Sequence, residues 1–213
     1  MSKTLAFIGS GNVGGTLARL AVAAGLDVVL SNSRGPESLA GLVAELGPRA
    51  RAATPAEAAE AGDLVVVSIP LSAYEKIPAQ PLAGKIVIDT LNYYPERDGR
   101  IAELDANELT SSELVQRHLA DSRVVKAASN IVVSQLLSLA RPAGAPDRSA
   151  MPIAGDDAAA KAEVVELLDL LGYDAVDIGT LADSWRSEPG TPLYCKPYYG
   201  EVPEGPRVFR AGI

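Results

Sequence analysis

A run of glycines close to the start of the chain narrows the choice of fold more than any other part of the sequence. Gly9, Gly11 and Gly14 follow the spacing Gly-x-Gly-x-x-Gly directly after a short apolar segment, residues 4–8. Apolar residues then recur at three- to four-residue intervals up to Gly25, which predicts an amphipathic helix. A strand, a glycine turn and a helix in this order predict the first unit of a dinucleotide-binding fold.

Each glycine of this loop has its own expected role. Gly9 permits a tight turn, Gly11 lets the backbone approach a pyrophosphate, and Gly14 lets the helix pack against the strand. The phosphates then meet backbone N–H groups at the positive end of the helix. We therefore expect the whole loop to bind the cofactor, namely Gly9, Ser10, Gly11, Asn12, Val13 and Gly14. The alternative is a tight glycine turn that binds nothing.

The segment after the second predicted strand, residues 27–30, indicates which dinucleotide binds. An NAD-binding protein usually carries an acidic residue there, which accepts a hydrogen bond from the ribose 2′-hydroxyl. This chain has instead Ser31, Asn32, Ser33 and Arg34. Hydroxyls and a guanidinium suit a 2′-phosphate, so the sequence predicts NADP as the cofactor. The alternative is that Arg34 is an ordinary solvated charge.

Short β-branched segments alternate with helical patterns along the chain, which predicts an α/β, doubly wound (Rossmann) fold with a mostly parallel sheet. Further strands are predicted at residues 64–67, 86–89, 124–126, 150–153 and 176–178, with a weaker candidate at 50–53. Further helices are predicted at residues 36–46, 54–61, 111–119 and 156–171.

Two polar segments follow strands of this predicted sheet. Ser68, Ile69 and Pro70 come after the strand at 64–67, and Thr90 and Asn92 come after the strand at 86–89. Because ligands of doubly wound folds bind at the carboxyl ends of the strands, we expect both segments to line the cofactor crevice. The alternative for each is an ordinary strand-to-helix turn.

The chain divides into residues 1–130, a predicted NADP-binding domain, and residues 131–213, a C-terminal extension continuous with it. Residues 184–206 are rich in proline and glycine and carry four of the ten aromatic residues of the protein, Trp185, Tyr194, Tyr198 and Tyr199. Flat aromatic surfaces suit a stacked heterocycle, so this extension is expected to form the side of a second substrate. The competing interpretation is an oligomer interface, and a homodimer is expected.

Composition excludes several classes of partner. With 19 Lys and Arg against 27 Asp and Glu the net charge is −8, which argues against nucleic-acid binding. Cys195 and His118 are each the only residue of their type, which predicts neither an intrachain disulfide nor a metal site. No apolar run approaches the ~20 residues that span a membrane, and residues 5–8 are too short for a signal peptide. We expect a cytoplasmic protein without a membrane partner.

No acid–base cluster is evident in the sequence, so no catalytic side chain is assigned. His118 falls in the last turn of a predicted helix, where a basic residue complements the dipole. Lys126 at a strand end is expected to be a solvated charge, and Cys195 a small apolar filler.

The segments FIGSGNVGGTLARLAVAAGLDVVLSNSR, DTLNYYP and VVKAASNIVV resemble the NADP oxidoreductases that use the deazaflavin coenzyme F420. The cofactor domain of that family is similar to that of pyrroline-5-carboxylate reductases. The resemblance implies that NADP lies across the sheet edge and that the deazaflavin stacks beside the nicotinamide, so that a hydride passes directly between them.

The resemblance also implies that the second substrate is held after the sixth strand and by the C-terminal loops, with Ser129, Asn130, Trp185 and Tyr194 as the candidate contacts. A short Lys-Ala-Phe-Asn stretch is usual in the family, whereas this chain has Lys-Ala-Ala-Ser-Asn at residues 126–130. Three alternatives stay open: an NADPH-dependent reductase of a flavin, quinone or imine, an NADP-sensing module without turnover, and a cofactor domain of a larger enzyme.

Overall fold

The structure is a computed structural model that describes residues 3–196. In this part of the chain eight strands form one sheet with the order β3-β2-β1-β4-β5-β6-β7-β8. The strands are β1 Thr4–Ile8, β2 Asp27–Ser31, β3 Ala50–Ala52, β4 Leu64–Val67, β5 Ile86–Asp89, β6 Arg123–Lys126, β7 Ala150–Gly155 and β8 Asp174–Asp177. The first six are parallel, and the strand order reverses direction between β1 and β4, which confirms the doubly wound fold.

Helices connect the strands. They are α1 Asn12–Ala23, α2 Ala40–Leu46, α3 Pro55–Ala61, α4 Ala79–Leu82, α5 Pro95–Asp98, α6 Ala102–Asp105, α7 Ser111–His118 and α8 Ala158–Leu170, with 3₁₀ helices at Pro36–Leu39, Leu71–Lys76, Val133–Gln135 and Leu181–Ser187. The predicted helix at 36–46 is divided, because its first turn tightens into a 3₁₀ helix in which the Ser38 N–H donates to the Gly35 carbonyl at 3.2 Å.

The parallel strands are apolar on both faces because helices cover both sides of the sheet. Phe7 of β1 packs in one core cluster with α1 and α8, whereas its neighbour Ile8 packs in a second cluster with α3 and α7. Both clusters extend to the carboxyl ends of the central strands. The edge at which a ligand would bind is therefore held rigidly from both faces.

The last two strands stand above this carboxyl edge. β7 is antiparallel to β6, with Lys126 opposite Ala154, so the four residues 150–153 extend past the end of β6 by roughly 13 Å. β8 runs parallel to β7, with Asp174 opposite Ala150. It begins two residues earlier than predicted, because the aspartate that opens it is a residue type that strands disfavour. The C-terminal extension thus begins as a wall beside the carboxyl edge.

No helix within residues 3–196 is long and apolar enough to cross a membrane. The same residues contain no group of three or more His, Cys, Asp or Glu side chains arranged to hold a metal ion. Tyr198 and Tyr199, named above as part of the aromatic tail, lie outside the described residues.

Candidate functional site

The glycine loop has the geometry that its spacing predicts. Gly9 has φ +100°, and a Cβ atom there would lie 2.1 Å from the Ser68 carbonyl oxygen. A Cβ atom at Gly14 would lie 2.1 Å from the Gly9 carbonyl oxygen. At Gly11, by contrast, a Cβ atom would meet nothing within 4 Å. Gly9 and Gly14 are thus required for the turn and for packing, whereas Gly11 leaves the backbone open to a ligand.

The first turn of α1 presents its N–H groups toward this opening. Gly11 is the N-cap, no side chain caps the helix, and the first turn contains no acidic residue. Ser10 ties the loop to β2 by donating its hydroxyl to the Ser31 carbonyl at 3.0 Å. Asn12 contributes its carbonyl to the Thr16 hydroxyl at 2.6 Å. An uncapped helix start of this kind carries partial positive charge and suits a phosphate.

Residues 31–34, at the end of β2 and in the loop after it, differ in their exposure and in their hydrogen bonds. The Ser31 hydroxyl is buried and donates to the Phe7 carbonyl at 2.7 Å, so the expectation that Ser31 offers a hydroxyl to a phosphate is wrong. Asn32 accepts the Arg34 N–H at 2.9 Å, which fixes the turn. Ser33 and Arg34 are exposed, and among the described residues the Arg34 guanidinium has no ion-pair partner. Arg34 therefore remains available to an anion.

A cavity of about 410 Å³ lies between the glycine loop and the end of β4. Its lining consists of Ile8, Gly9, Ser10, Gly11, Asn32, Ser33, Arg34, Pro55, Ser68, Ile69, Pro70, Ala73 and Lys76. The predicted segment 68–70 is therefore part of the lining. Lys76 was missed by the sequence analysis, because it lies one 3₁₀ helix beyond that segment and belongs to no recognisable motif. Lys76 and Arg34 are the two cationic residues of this lining within the described part of the chain.

A second cleft, of about 640 Å³, adjoins the other side of α1. Ser10, Gly11 and Arg34 line both spaces, so the two meet at the glycine loop. The far wall of the cleft includes Val133, Ser134 and Leu137, the last of which is 49% exposed. Arg19 and Glu45 lie on the near wall and form a bidentate pair at 2.6 and 2.8 Å, and the guanidinium holds the pKa of the Glu45 carboxyl below its ordinary value.

Thr90 and Asn92 join the ends of neighbouring strands. The Thr90 hydroxyl donates to the Val67 carbonyl at 2.9 Å, and the Asn92 amide donates to the Ser129 carbonyl at 2.7 Å. Neither residue lines either of the two spaces described above, contrary to expectation, because both side chains are turned to these carbonyls. The side-chain oxygen Oδ1 of Asn92 is buried and has no hydrogen-bond partner among the described residues. The ends of β4, β5 and β6 are thus tied together.

Residues 193–195 of the C-terminal segment contact the loop that follows β6. Asn130, 3% exposed, donates to the Leu193 carbonyl at 3.3 Å and accepts the Cys195 N–H on its own carbonyl at 2.6 Å. The Tyr94 and Tyr194 hydroxyls are hydrogen-bonded, and burial together with this bond raises the pKa of Tyr194 above its ordinary value. The structure therefore brings Ser129, Asn130 and Tyr194 together, with Tyr94 as a residue that the sequence analysis missed.

Trp185 is half-buried on the 3₁₀ helix Leu181–Ser187. His118 is structural, as expected: its Nε2 lies 2.9 Å from the Ile77 carbonyl oxygen and its ring packs edge-on against Tyr74. Cys195 is a half-buried free thiol. None of these three residues lines the two spaces at the glycine loop.

Lys126 is fully buried, so the expectation of a solvated charge is wrong. Its ammonium donates to the Leu91 carbonyl and to the Ser111 hydroxyl, the latter at 3.2 Å, and lies 3.5 Å from the Asp89 carboxylate. Asp89 is opposite Lys126 in the register of β5 and β6. The signal available in the sequence was that both apolar strands end on a charge, of opposite sign.

The fold and this geometry define the class: a doubly wound α/β protein with a dinucleotide phosphate site at its glycine loop. Residues 4–93 match the family described as NADP oxidoreductase, coenzyme F420-dependent. A protein of Arthrobacter sp. FB24, named as a candidate F420-dependent NADP reductase, is 30% identical, with 83% of this chain and 84% of that chain covered and a TM-score of 0.69. The chain belongs to this family of NADP oxidoreductases.

Two further relatives are similar over most of the chain. Hypothetical protein SMa0349 of Sinorhizobium meliloti is 26% identical, with 94% of this chain and 97% of that chain covered and a TM-score of 0.80. The rat metalloreductase STEAP3 is 30% identical over 183 residues, which is 85% of this chain. The match spans only 35% of the length of STEAP3 and 39% of the length of a second curated relative, protein YjhV of Escherichia coli.

Proposed function

We propose that the protein is an oxidoreductase that transfers a hydride directly between NADP(H) and coenzyme F420. Family membership and the name of the Arthrobacter relative support this pairing. With both molecules bound, the hydride would leave C4 of the reduced nicotinamide with its electron pair and bind C5 of the deazaflavin, while solvent supplies a proton to N1. The chain itself has only to hold two rings in contact.

The residues present fit NADP. Gly11 leaves room for a pyrophosphate, and the uncapped start of α1 offers it N–H donors. From there the cavity of about 410 Å³ extends to Arg34, whose guanidinium suits a 2′-phosphate, and Lys76 adds a second cation to the lining. The described lining of this cavity contains no aspartate or glutamate to repel that phosphate.

One observation carries the direct transfer: the titratable side chains among the described residues that line the two spaces at the glycine loop are three cations, Arg19, Arg34 and Lys76, and one glutamate. The one glutamate, Glu45, is held as a carboxylate by Arg19. Reduction of an imine or a quinone takes up a proton at the reacting atoms and profits from a positioned acid. Transfer between two rings does not, which favours a deazaflavin as the acceptor.

The second ring has two surfaces available. The cleft of about 640 Å³ meets the cofactor cavity at Gly11 and offers the apolar side chains Val133 and Leu137. The other surface is the wall made by Tyr94 and Tyr194 above β5 and β6. Arg97 covers the Tyr94 ring, with its guanidinium 4.7 Å from the ring centroid, and fixes its orientation. Both surfaces lie at the carboxyl edge.

The test mixes the full-length protein with NADPH and oxidised F420 in a single-turnover experiment and follows the loss of deazaflavin absorbance. We expect reduction at a rate that saturates with protein. Gly11→Val is the matched control, since it should remove NADPH binding and with it the absorbance change. Protein that binds NADPH in a calorimeter but never reduces the deazaflavin would contradict the proposal, and a panel of flavins, quinones and imines would then identify another acceptor.

A further inference from the structure

Three consecutive hydroxyl residues begin α7, and each contacts a different part of the protein. Thr110 caps the helix and donates its hydroxyl to the Leu181 carbonyl at 3.0 Å. Ser111 donates both its N–H, at 3.0 Å, and its hydroxyl, at 2.6 Å, to Oε1 of Glu188. Ser112 donates its hydroxyl to Oδ2 of Asp89 at 2.6 Å. The start of α7 therefore binds two buried carboxylates.

Lys126 connects these two carboxylates through a series of polar contacts. Its ammonium lies 3.5 Å from Asp89 and donates to the Ser111 hydroxyl, which in turn donates to Glu188. Asp89 and Lys126 are fully buried, and Glu188 is 5% exposed. Buried charges are retained only when they are paired and hydrogen-bonded, and removing one partner is strongly destabilising. Glu188 is thus fixed to the sheet through Ser111.

Glu188 is the first residue of a segment that crosses to the carboxyl edge; we name residues 188–195 the C-terminal strap. Next to Glu188 the strap turns, with the Thr191 hydroxyl donating to the Glu188 carbonyl at 2.7 Å. Its other end is fixed by the Cys195 N–H on the Asn130 carbonyl and by the Tyr94–Tyr194 hydroxyl pair. One anchor of the strap is therefore a buried carboxylate that accepts hydrogen bonds, and the other is made of neutral hydrogen bonds.

We propose that Glu188 is a positioning residue for the hydride acceptor. By anchoring one end of the strap, Glu188 fixes the position of the Tyr194 side chain above β5 and β6. This inference rests on the proposed function, because Tyr194 is there a wall of the acceptor site. The described residues that line the two spaces at the glycine loop include none from the strap. Loosening the strap should therefore change acceptor binding and leave NADPH binding unchanged.

The experiment compares Glu188→Gln with Glu188→Ala. Glutamine keeps an oxygen that can accept both Ser111 bonds but removes the charge, whereas alanine removes both. The matched control is Glu166→Gln, which neutralises an exposed carboxylate on α8. We expect kcat/KM for F420 to fall about 100-fold in Glu188→Ala, mainly through KM, and less in Glu188→Gln. The Kd for NADPH should stay within about twofold of wild type in all three variants.

Equal losses of NADPH and F420 binding, or no loss of either, would overturn the inference. If Glu188→Ala does not fold, Ser111→Ala replaces it, because that change breaks the connection between Lys126 and Glu188 while keeping the carboxylate and the Ser111 N–H. The same rise in KM for F420 at constant NADPH affinity is then expected.

Two readouts separate this inference from the proposed function. Trp185 is the only tryptophan of the chain, and its carbonyl accepts the Glu188 N–H at 3.1 Å, so its fluorescence reports on the anchor at Glu188. Exchange of the Cys195 amide hydrogen reports on the far end of the strap. Wild type that fails to reduce F420 refutes the function alone. A Glu188→Ala variant, or Ser111→Ala in its place, with wild-type fluorescence and wild-type Cys195 exchange refutes the role of Glu188, whatever the acceptor.

Discussion

Gly11 is a position at which a side chain should change the ligand site without changing the fold. In Gly11→Val the new Cβ atom meets no protein atom within 4 Å and the backbone is in the extended region, so the variant should keep its stability to within about 1 kcal/mol. NADPH should no longer raise its melting temperature, because the branched side chain occupies the approach to the backbone. Thermal melting with and without NADPH measures both effects.

Gly14→Ala is the opposite case and serves as the control for that experiment. Its Cβ atom would lie 2.1 Å from a backbone oxygen of the loop. The variant should therefore melt at a lower temperature even without cofactor. A Gly11→Val protein that still gains thermal stability from NADPH would show that the phosphates bind elsewhere.

Arg34 should decide between the two dinucleotides. A charge-assisted pair of hydrogen bonds to a phosphate contributes about 1.5 to 3 kcal/mol, so NADPH should bind at least about tenfold more tightly than NADH. Arg34→Ala should remove most of that difference, whereas Arg51→Ala, an exposed cation on β3, should not. Titration of the three proteins with both nucleotides measures the preference. Equal affinities in wild type would exclude the assigned 2′-phosphate contact.

Tyr173 gives stability a dependence on alkaline pH. Burial raises the pKa of Tyr173 from 10.0 to about 12, and its hydroxyl donates to the Leu136 carbonyl. Because the folded state keeps a proton that the unfolded state loses, this contribution is complete below pH 10 and declines as the pH rises from 10 to 12, by roughly 3 kcal/mol.

Tyr173→Phe tests this dependence in urea unfolding at pH 8 and pH 11. The variant should be less stable by about 1 kcal/mol at pH 8, where only the hydrogen bond is lost. From pH 8 to pH 11 its free energy of unfolding should decline less steeply than that of wild type. Parallel declines would mean that the Tyr173 hydroxyl does not titrate differently in the two states.

Among the elements, α8 depends on a local cap. Asp157 precedes the helix and accepts the Ala160 N–H at 2.7 Å. Asp157→Ala should lower the free energy of unfolding by about 1 kcal/mol and the melting temperature by about 3 °C. Asp157→Ser restores a capping oxygen and should recover most of the loss. NADPH affinity should not change in either variant, since the described residues that line the two spaces at the glycine loop include none from α8.

Elements with a strong local pattern were predictable from the sequence. β1, β4 and β5 have the predicted bounds, and α3 and α7 begin after the threonines that cap them. The four-residue helices α4, α5 and α6 were not predicted, because one turn is too short to show an amphipathic period. Their formation depends on packing against the neighbouring elements.

The same distinction holds for the site. The glycine loop is encoded within six consecutive residues, so its turn could be predicted with its chemistry. The contact between Ser111 and Glu188 joins residues 77 positions apart, and no local pattern indicates it. Lys126 was misassigned for this reason, since its burial depends on the register with Asp89 and on the position of α7.

For the whole molecule, residues 184–213 should be needed for stability and dispensable for the nucleotide cavity. A chain that ends at residue 183 lacks Glu188, which binds the start of α7, and Leu193, which is 1% exposed. Its melting temperature should fall by about 10 °C, because a buried charge partner and an apolar side chain are lost together. NADPH should still bind the folded fraction in calorimetry, and loss of that binding would place the cavity partly in the removed segment.

The outermost strands of the sheet are short and charged. β3 has three residues with exposed Arg51 in the middle, and β8 has four residues with an aspartate at each end. An open edge invites the main chain of a neighbouring molecule, and brevity together with charge is how natural sheets discourage such pairing. Even at high concentration, copies of this protein should therefore resist fibril formation through their sheet edges. The edge strands are too short and too charged to form main-chain hydrogen bonds with the edge strand of another molecule.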